Sequence, residues 1–405
     1  MKAITTAKKL EIAAVFLLTL VVTTLRAVRL PNDFAKAHWL IDYRFGFVKR
    51  GLIGTAISLA TSAMHIRPTD QFVAVLSIVW FVIFCATLIG VALRVVHRSG
   101  WSTSAILAAL VFLSSPFTVM SAHLIGYFDN IIIVLGVLSI ALLLNGRIWS
   151  AAAVQAIAIL VHENALLVGF PAFCLAWLLG NRLRVQPDRR RVAVWPLLLP
   201  IATFLILVLS QSLAPASLEQ SLTSYLSTFP FIERNIQNTR VPHWITITFF
   251  DSYALHRGLF TGRLISGAML GLILPSMLAI FGVILDGYPI RALSAESIVL
   301  LSVCLAPQLM HLVAWDTARI WTYSILSSFL VLWIYAELVA TQKDVSQFVK
   351  LLCLATLVLN ALELTPLMDG LHDRFELMPR LVLYAPILAA ALELVWSETH
   401  PTAIG

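Results

Sequence analysis

Residues 38 to 54, HWLIDYRFGFVKRGLIG, hold one carboxylate, three basic side chains, a His, a Trp, a Tyr and three glycines. Asp42 beside Arg44 offers the elements of general base catalysis, a carboxylate able to take a proton with a cation close by. Trp39, Leu40 and Ile41 on one side and Phe45 to Val48 on the other would partly dehydrate it, which strengthens a carboxylate as a base. The plainer alternative is a loop carboxylate neutralised by Arg44. Lys49 and Arg50 set two cations side by side, as a phosphate ligand would require; otherwise they anchor the next helix at the membrane surface. Gly46, Gly51 and Gly54 suit a tight turn and close helix packing rather than chemistry.

Further groups of this kind recur along the chain. His162, Glu163 and Asn164 interrupt a long apolar run and form either a ligand-binding cluster or a buried structural network. They lack the second His at i+4 that a helical two-His zinc motif needs. Asp316 and Arg319 are spaced for an i,i+3 ion pair, and alternatively Arg319 and His311 together could hold an anion. Asp129, following His123 and Tyr127, and the group Asp369, His372, Asp373 and Arg374 complete the candidates.

These residues need a scaffold, and composition says which. The 405-residue chain is 60% hydrophobic and only 12% charged, with a mean hydropathy of +0.90, whereas about a quarter of the residues of a soluble domain are charged. The expectation is an all-α polytopic integral membrane protein, a single domain over 1–405. At about 20 apolar residues per spanning helix the length suits about ten to twelve helices, some short or re-entrant. The net charge of +7 is explained by positive-inside topology and lipid headgroups, without a nucleic acid partner. Cys85, Cys174, Cys304 and Cys353 each lie in an apolar run and read as small core residues. No small-residue cleavage site follows the first apolar run, which reads as a retained helix.

With Lys8 and Lys9 taken as cytoplasmic, residues 28–64 form a first extracytoplasmic loop that includes an interfacial helix at Gly51–Met64. Residues 214–263 form a long extracytoplasmic loop. Ala151–Leu179 is either one overlong helix or two short segments meeting at His162–Asn164. Two segments are preferred, because Arg182, Arg184, Arg189, Arg190 and Arg191 then fall in the cytoplasm. On this threading Lys and Arg divide evenly between the faces. The outer ones, unlike the inner, are interleaved with most of the carboxylates and histidines, as a site built from several loops would be.

The pattern of many spans, an inward N-terminus, an acid at Asp42 in the first outer loop and a larger outer loop later resembles the GT-C superfamily of polytopic membrane glycosyltransferases. It departs from that family in one respect: Asp42 is followed by Tyr43, where many members carry two adjacent acids, and the nearest other acid is Asp33. The resemblance implies a polyprenyl-phosphate-sugar donor, a glycan or lipid-linked acceptor of the cell envelope, and an extracytoplasmic active face on a bacterial plasma membrane. It further implies Asp42 as catalytic base or organiser of the site. Arg44, Lys49, Arg50 and Arg319 are then expected to stabilise the departing lipid phosphate, with His162, Glu163, His311 and Asp316 helping to bind substrate. A divalent metal is left open. Two rivals stand beside this expectation: a polysaccharide polymerase or ligase gripping a lipid diphosphate with Arg234, Arg240, Arg257 and Arg263, and a non-enzymatic flippase or transporter.

Overall fold

A computed structural model describes residues 5–183, 194–233, 240–339, 343–368 and 371–399. Among them the fold is all helical apart from one isolated antiparallel bridge, Pro366 with His372. Eight helices are long and apolar enough to cross a membrane, and four shorter apolar ones accompany them, as expected of an integral membrane protein.

In chain order the first half consists of α1 (Thr6–Leu25), α2 (Asp33–His38), α3 (Gly51–Ala63), α4 (Asp70–Arg98), α5 (Thr103–Leu113), α6 (Pro116–His123), α7 (Asp129–Leu144), α8 (Ile148–Val161), α9 (Ala165–Val168), α10 (Phe170–Leu183) and α11 (Trp195–Ser212). Five short helices follow: α12 (Leu218–Leu226), α13 (Pro230–Glu233), α14 (Val241–Thr246), α15 (Phe249–His256) and α16 (Phe260–Leu264). The last five are α17 (Gly267–Gly287), α18 (Ala295–Leu305), α19 (Thr317–Leu338), α20 (Gln347–Leu362) and α21 (Leu377–Thr399).

Helix α5, helix α6 and the stretch of α19 from Ile320 to Ala336 are buried throughout and form the centre, with Phe112 stacked on Phe329 at 4.0 Å. A helix apolar on every side is what an interior position in a membrane bundle selects. Helices α4, α11 and α21 are peripheral, and most of their apolar side chains face outward.

Cross-chain contacts sort the helix ends into two groups. At one end Arg26 meets Asp373, Trp39 donates to the Gly126 carbonyl, Arg50 meets Glu163 and Lys49 donates to the Ile247 carbonyl. At the other, Arg94 and Arg98 meet Glu337, Lys8 meets Glu393 and Lys350 meets Glu398. Helix α3 starts beside Glu163 and is followed by Arg67, which donates to the Thr228 carbonyl. Both its ends therefore lie at the first end of the bundle, and α3 does not traverse it.

Ala151–Leu179 breaks where the polar residues fall. α8 ends at Val161, His162 is extended at φ −159°, and the chain turns back through α9 into α10. Gln155 stabilises the break: its amide donates to the Ala165 carbonyl at 3.2 Å and its oxygen accepts from Ser139 at 3.0 Å. This accounts for a carbonyl that would otherwise be an unpaired polar group in an apolar layer. Arg182 lies near the far end, in the neighbourhood of Tyr335. Arg184, Arg189, Arg190, Arg191, Arg234 and Asp369 lie outside the described residues.

Candidate functional site

At the first end of the bundle a cavity of about 1020 Å³ of empty space, its mouth included, is lined by Lys49, Arg50, Glu163, Asn164, Asp316 and Arg319. Phe34, Tyr127, Trp244, Phe249 and Trp315 add aromatic faces, and Phe204, Leu207, Val208 and Gln211 of α11 close one wall. Seven separated segments thus meet there: the first loop, the turn before α7 at Tyr127, the α8–α9 break, α11, the long 214–263 stretch, the start of α19 and Met368 after α20. Of the residues expected from distant sequence positions, Lys49, Arg50, Glu163, Asp316 and Arg319 line this cavity, whereas Asp42, Arg44, His162 and His311 do not.

Arg50 is the hub of the near wall. Its Nη2 lies 2.6 Å from Glu163 Oε1 and its Nε 3.3 Å from Oε2, while Nη1 approaches His38 Nε2 at 3.0 Å. His38 Nδ1 sits 2.7 Å from the Phe34 carbonyl, so Nδ1 carries the proton and Nε2 accepts from Arg50. Burial, helped by the Arg50 charge, pushes the His38 imidazole down to about 3, and a neutral ring is the only form that fits this chain of donors. Burial works to raise the Glu163 carboxyl, yet Arg50, His162 and Lys49 together outweigh it and hold the group well below the usual carboxylate range. Arg50 itself adopts φ +61° at the N-cap of α3. A non-glycine residue pays for that conformation, and the bonds to Glu163 and His38 hold it there.

His162 is buried, and its Nδ1 accepts from the Asn164 amide at 3.2 Å, with Glu163 Oε2 3.3 Å away. Burial followed by Arg50 lowers its pKa, consistent with an unprotonated acceptor nitrogen. It backs Glu163 and does not line the cavity.

Lys49 is buried, and its ammonium donates to the Ile247 carbonyl at 2.7 Å. No carboxylate stands within ion-pair distance of it among the described residues. Burial lowers its pKa to about 8, with the Glu163 charge opposing that shift. On the far wall Arg319 Nε lies 3.2 Å from Asp316 and Nη1 3.5 Å from Asp129. Asp129 makes a short contact with the Tyr323 hydroxyl and stands behind Arg319, outside the lining.

The first loop divides between two chambers. Lys49 and Arg50 line the cavity, with His38 bonded to Arg50 outside the lining, whereas Trp39, Leu40 and Arg44 line a second hollow under α3. Asp42 caps the 3₁₀ turn Tyr43–Phe45, and both its oxygens accept from Arg44 Nε at 2.8 Å. It is buried in that pair and is not part of the cavity lining; nor is Arg44. The plainer alternative for this carboxylate, neutralisation by its neighbour, describes its contacts.

Other candidates also lie apart. Asp373 Oδ2 accepts from Arg26 at 2.6 Å and from the Thr365 amide at 3.0 Å, within a buried knot joining α1, α20 and α21. The Arg374 amide donates to the Arg26 carbonyl. His311 Nδ1 meets the Gln308 carbonyl, and Arg263 donates to the carbonyls of His311 and Ala314. Arg257 lies over the Tyr253 ring, and Arg240 precedes α14; none of Arg240, Arg257 and Arg263 lines the cavity.

Sequence reasoning passed over Gln211, Trp244, Ser252 and His256 as site residues, although all four line the cavity. Gln211, the one amide in the last turns of an apolar helix, was a legible signal. The other three are placed only by how the short helices fold back. For a divalent cation, Glu163 and Asp316 each face a guanidinium, and among the described residues no three His, Cys, Asp or Glu side chains group as ligands. Comparison with known proteins gives no matching family model, no matching curated protein and no matching solved structure.

Proposed function

We propose that this chain transfers a glycosyl group from a polyprenyl-phosphate-linked donor to a hydroxyl of an envelope glycan or lipid-linked acceptor, at the cavity between the first loop, α11 and α19. The reading places that cavity on the extracytoplasmic face. The carrying observation is the meeting of Lys49, Arg50, Glu163, Asp316 and Arg319 in one aromatic cavity whose outer wall is the peripheral helix α11.

Each part has a chemical task in this reading. The lipid phosphate rests against Lys49 with Arg50 and Arg319 nearby, where cations offset the charge it gains as the sugar leaves. The rings of Trp244 and Trp315 offer faces for a pyranose. The prenyl chain leaves between the apolar side chains of α11, directly into lipid. As the acceptor oxygen bonds to the anomeric carbon, the carbon–oxygen bond to phosphate breaks and the phosphate departs with that electron pair. The hydroxyl proton passes to a carboxylate. Asp316, which lines the cavity although paired with Arg319, is assigned that role; Asp42, favoured by position in the chain, does not line the cavity and is assigned to shaping the loop.

The test is transfer by purified protein in proteoliposomes supplied with a panel of radiolabelled polyprenyl-phosphate sugars. Asp316→Asn is expected to lose at least a hundredfold in rate while still binding donor, and Asp42→Asn to lose much less. Full transfer by Asp316→Asn removes its assignment as base. Absence of both binding and transfer with every donor, in protein that remains folded, rejects the reaction class.

A further inference from the structure

The second hollow, about 590 Å³ of empty space between α3 and α12, is not used by the proposed reaction. Its charged lining consists of two guanidiniums, Arg44 and Arg67, and no carboxylate lines it; Ser58 and Ser62 add hydroxyls. Each guanidinium is held against a ring, Arg44 4.7 Å from the Tyr225 centroid and Arg67 5.0 Å from that of Phe229. Arg44 Nη2 donates to Ser58 at 2.8 Å, and Arg67 Nη2 to the Thr228 carbonyl at 2.6 Å. Stacking and these bonds fix both planes, which is the preparation that makes arginine a selective binder of phosphate oxygens.

Charge gives the ligand its sign. Arg44 is balanced by Asp42, whereas Arg67 has no carboxylate within ion-pair distance among the described residues. One positive charge is left, matching one phosphate diester. The setting gives the ligand its carrier. Helix α3 does not traverse the bundle, and beside the hollow Leu59, Met64 and Ile66 expose apolar side chains, 68%, 55% and 48% exposed. Apolar groups next to a basic pocket on a helix that stays at one end of a membrane bundle mark the level where lipid headgroups begin.

We infer that this hollow binds the phosphate of a membrane lipid, gripped between Arg67 and Arg44 with the lipid chains lying along Leu59 and Ile66. The inference is independent of the transfer reaction, since no residue of the catalytic cavity takes part.

The experiment is native mass spectrometry of the detergent-purified full chain titrated with phosphatidylglycerol, phosphatidylcholine, a polyprenyl phosphate or inorganic phosphate. Arg67 is exposed, so Arg67→Ala should fold; a thermal melt matching the parent verifies this. Phosphatidylglycerol is expected to bind the parent at least tenfold more tightly than Arg67→Ala, with Arg67→Lys intermediate and phosphatidylcholine weak. Arg67-dependent displacement by a polyprenyl phosphate at lower concentration supports the site and names the isoprenoid as its occupant; failure to displace names the phospholipid. Equal retention of both lipids by Arg67→Ala and the parent overturns the inference, as does inorganic phosphate competing as well as either lipid. Ser62→Ala supplies a second check, with a smaller loss of phosphatidylglycerol expected and no change in the melt.

Discussion

The Arg50 guanidinium holds both carboxylate oxygens of Glu163, 113 residues away in the chain. The pair joins the first loop to the α8–α9 break, so two elements with no sequence proximity share one wall. Removing the arginine leaves a partly buried carboxylate without its cation, at a cost of about 2–3 kcal/mol. The replacement matters as well, because φ at this position is +61°. Arg50→Gly should be about 1 kcal/mol less damaging than Arg50→Ala, since glycine adopts that backbone freely. Thermal melts in detergent should rank parent, glycine, alanine; an alanine variant as stable as the glycine variant contradicts the backbone assignment.

Lys49 should give the protein a basic-side pH dependence. Unfolded, the amine keeps its proton to about 10.5; folded and desolvated, only to about 8. Between those values the unfolded chain binds the extra proton, so stability rises with pH across that window, and below it the buried ammonium is a constant penalty. Lys49→Met should flatten that rise. Anion binding in the cavity should run the opposite way, weakening as pH climbs through about 8. Arg remains charged throughout, so Lys49→Arg should keep binding level to pH 10. A parent protein whose anion affinity is flat from pH 7 to 10 excludes Lys49 as the phosphate contact.

Gly54 is the point at which α3 presses onto the first loop. A β-carbon there would lie 1.9 Å from the Ile41 carbonyl oxygen, a backbone atom that cannot swing aside. Gly54→Ala should therefore separate α3 from residues 41–43 and cost at least the upper end of the about 1–3 kcal/mol of ordinary overpacking. Much reduced folded yield is the expected readout, with Gly90→Ala, where nothing lies within 4 Å, as the neutral comparison.

Asp373 should matter for folding and not for ligand binding. Its carboxylate meets Arg26 with both side chains essentially inaccessible, at 0% and 1% exposure. Removing one partner of such a pair costs about 3–5 kcal/mol. Asp373→Asn should lower the melting temperature while leaving donor affinity per folded molecule unchanged. A variant with normal melting and lost binding would move Asp373 into the site.

Much of the helical framework could be read from the chain because apolar runs of bilayer length have few alternatives. The turn at His162–Asn164 was legible for the same reason, three polar groups being too costly to leave in mid-span. Helix starts were less so: α19 begins at Thr317, with Asp316 at the N-cap position making no side-chain capping bond. The site was legible as a set of residue types but not as a set of distances. Asp42 and Arg44 sit two apart, and nothing local says whether that pair faces a substrate or only itself. The Arg26–Asp373 pair spans nearly the whole chain, and no local pattern announces it. Trp244 and His256 line the cavity because short helices between α11 and α17 fold back over it, a result of tertiary packing.

The ion pairs of Lys8 with Glu393 and of Lys350 with Glu398 carry a topological consequence. The start of α1 and the end of α21 therefore lie at one end of the bundle, so the path between them passes through the layer an even number of times. A phosphatase or fluorescent reporter fused to either terminus must sense the same compartment, and a pair of fusions is enough to orient every loop between them.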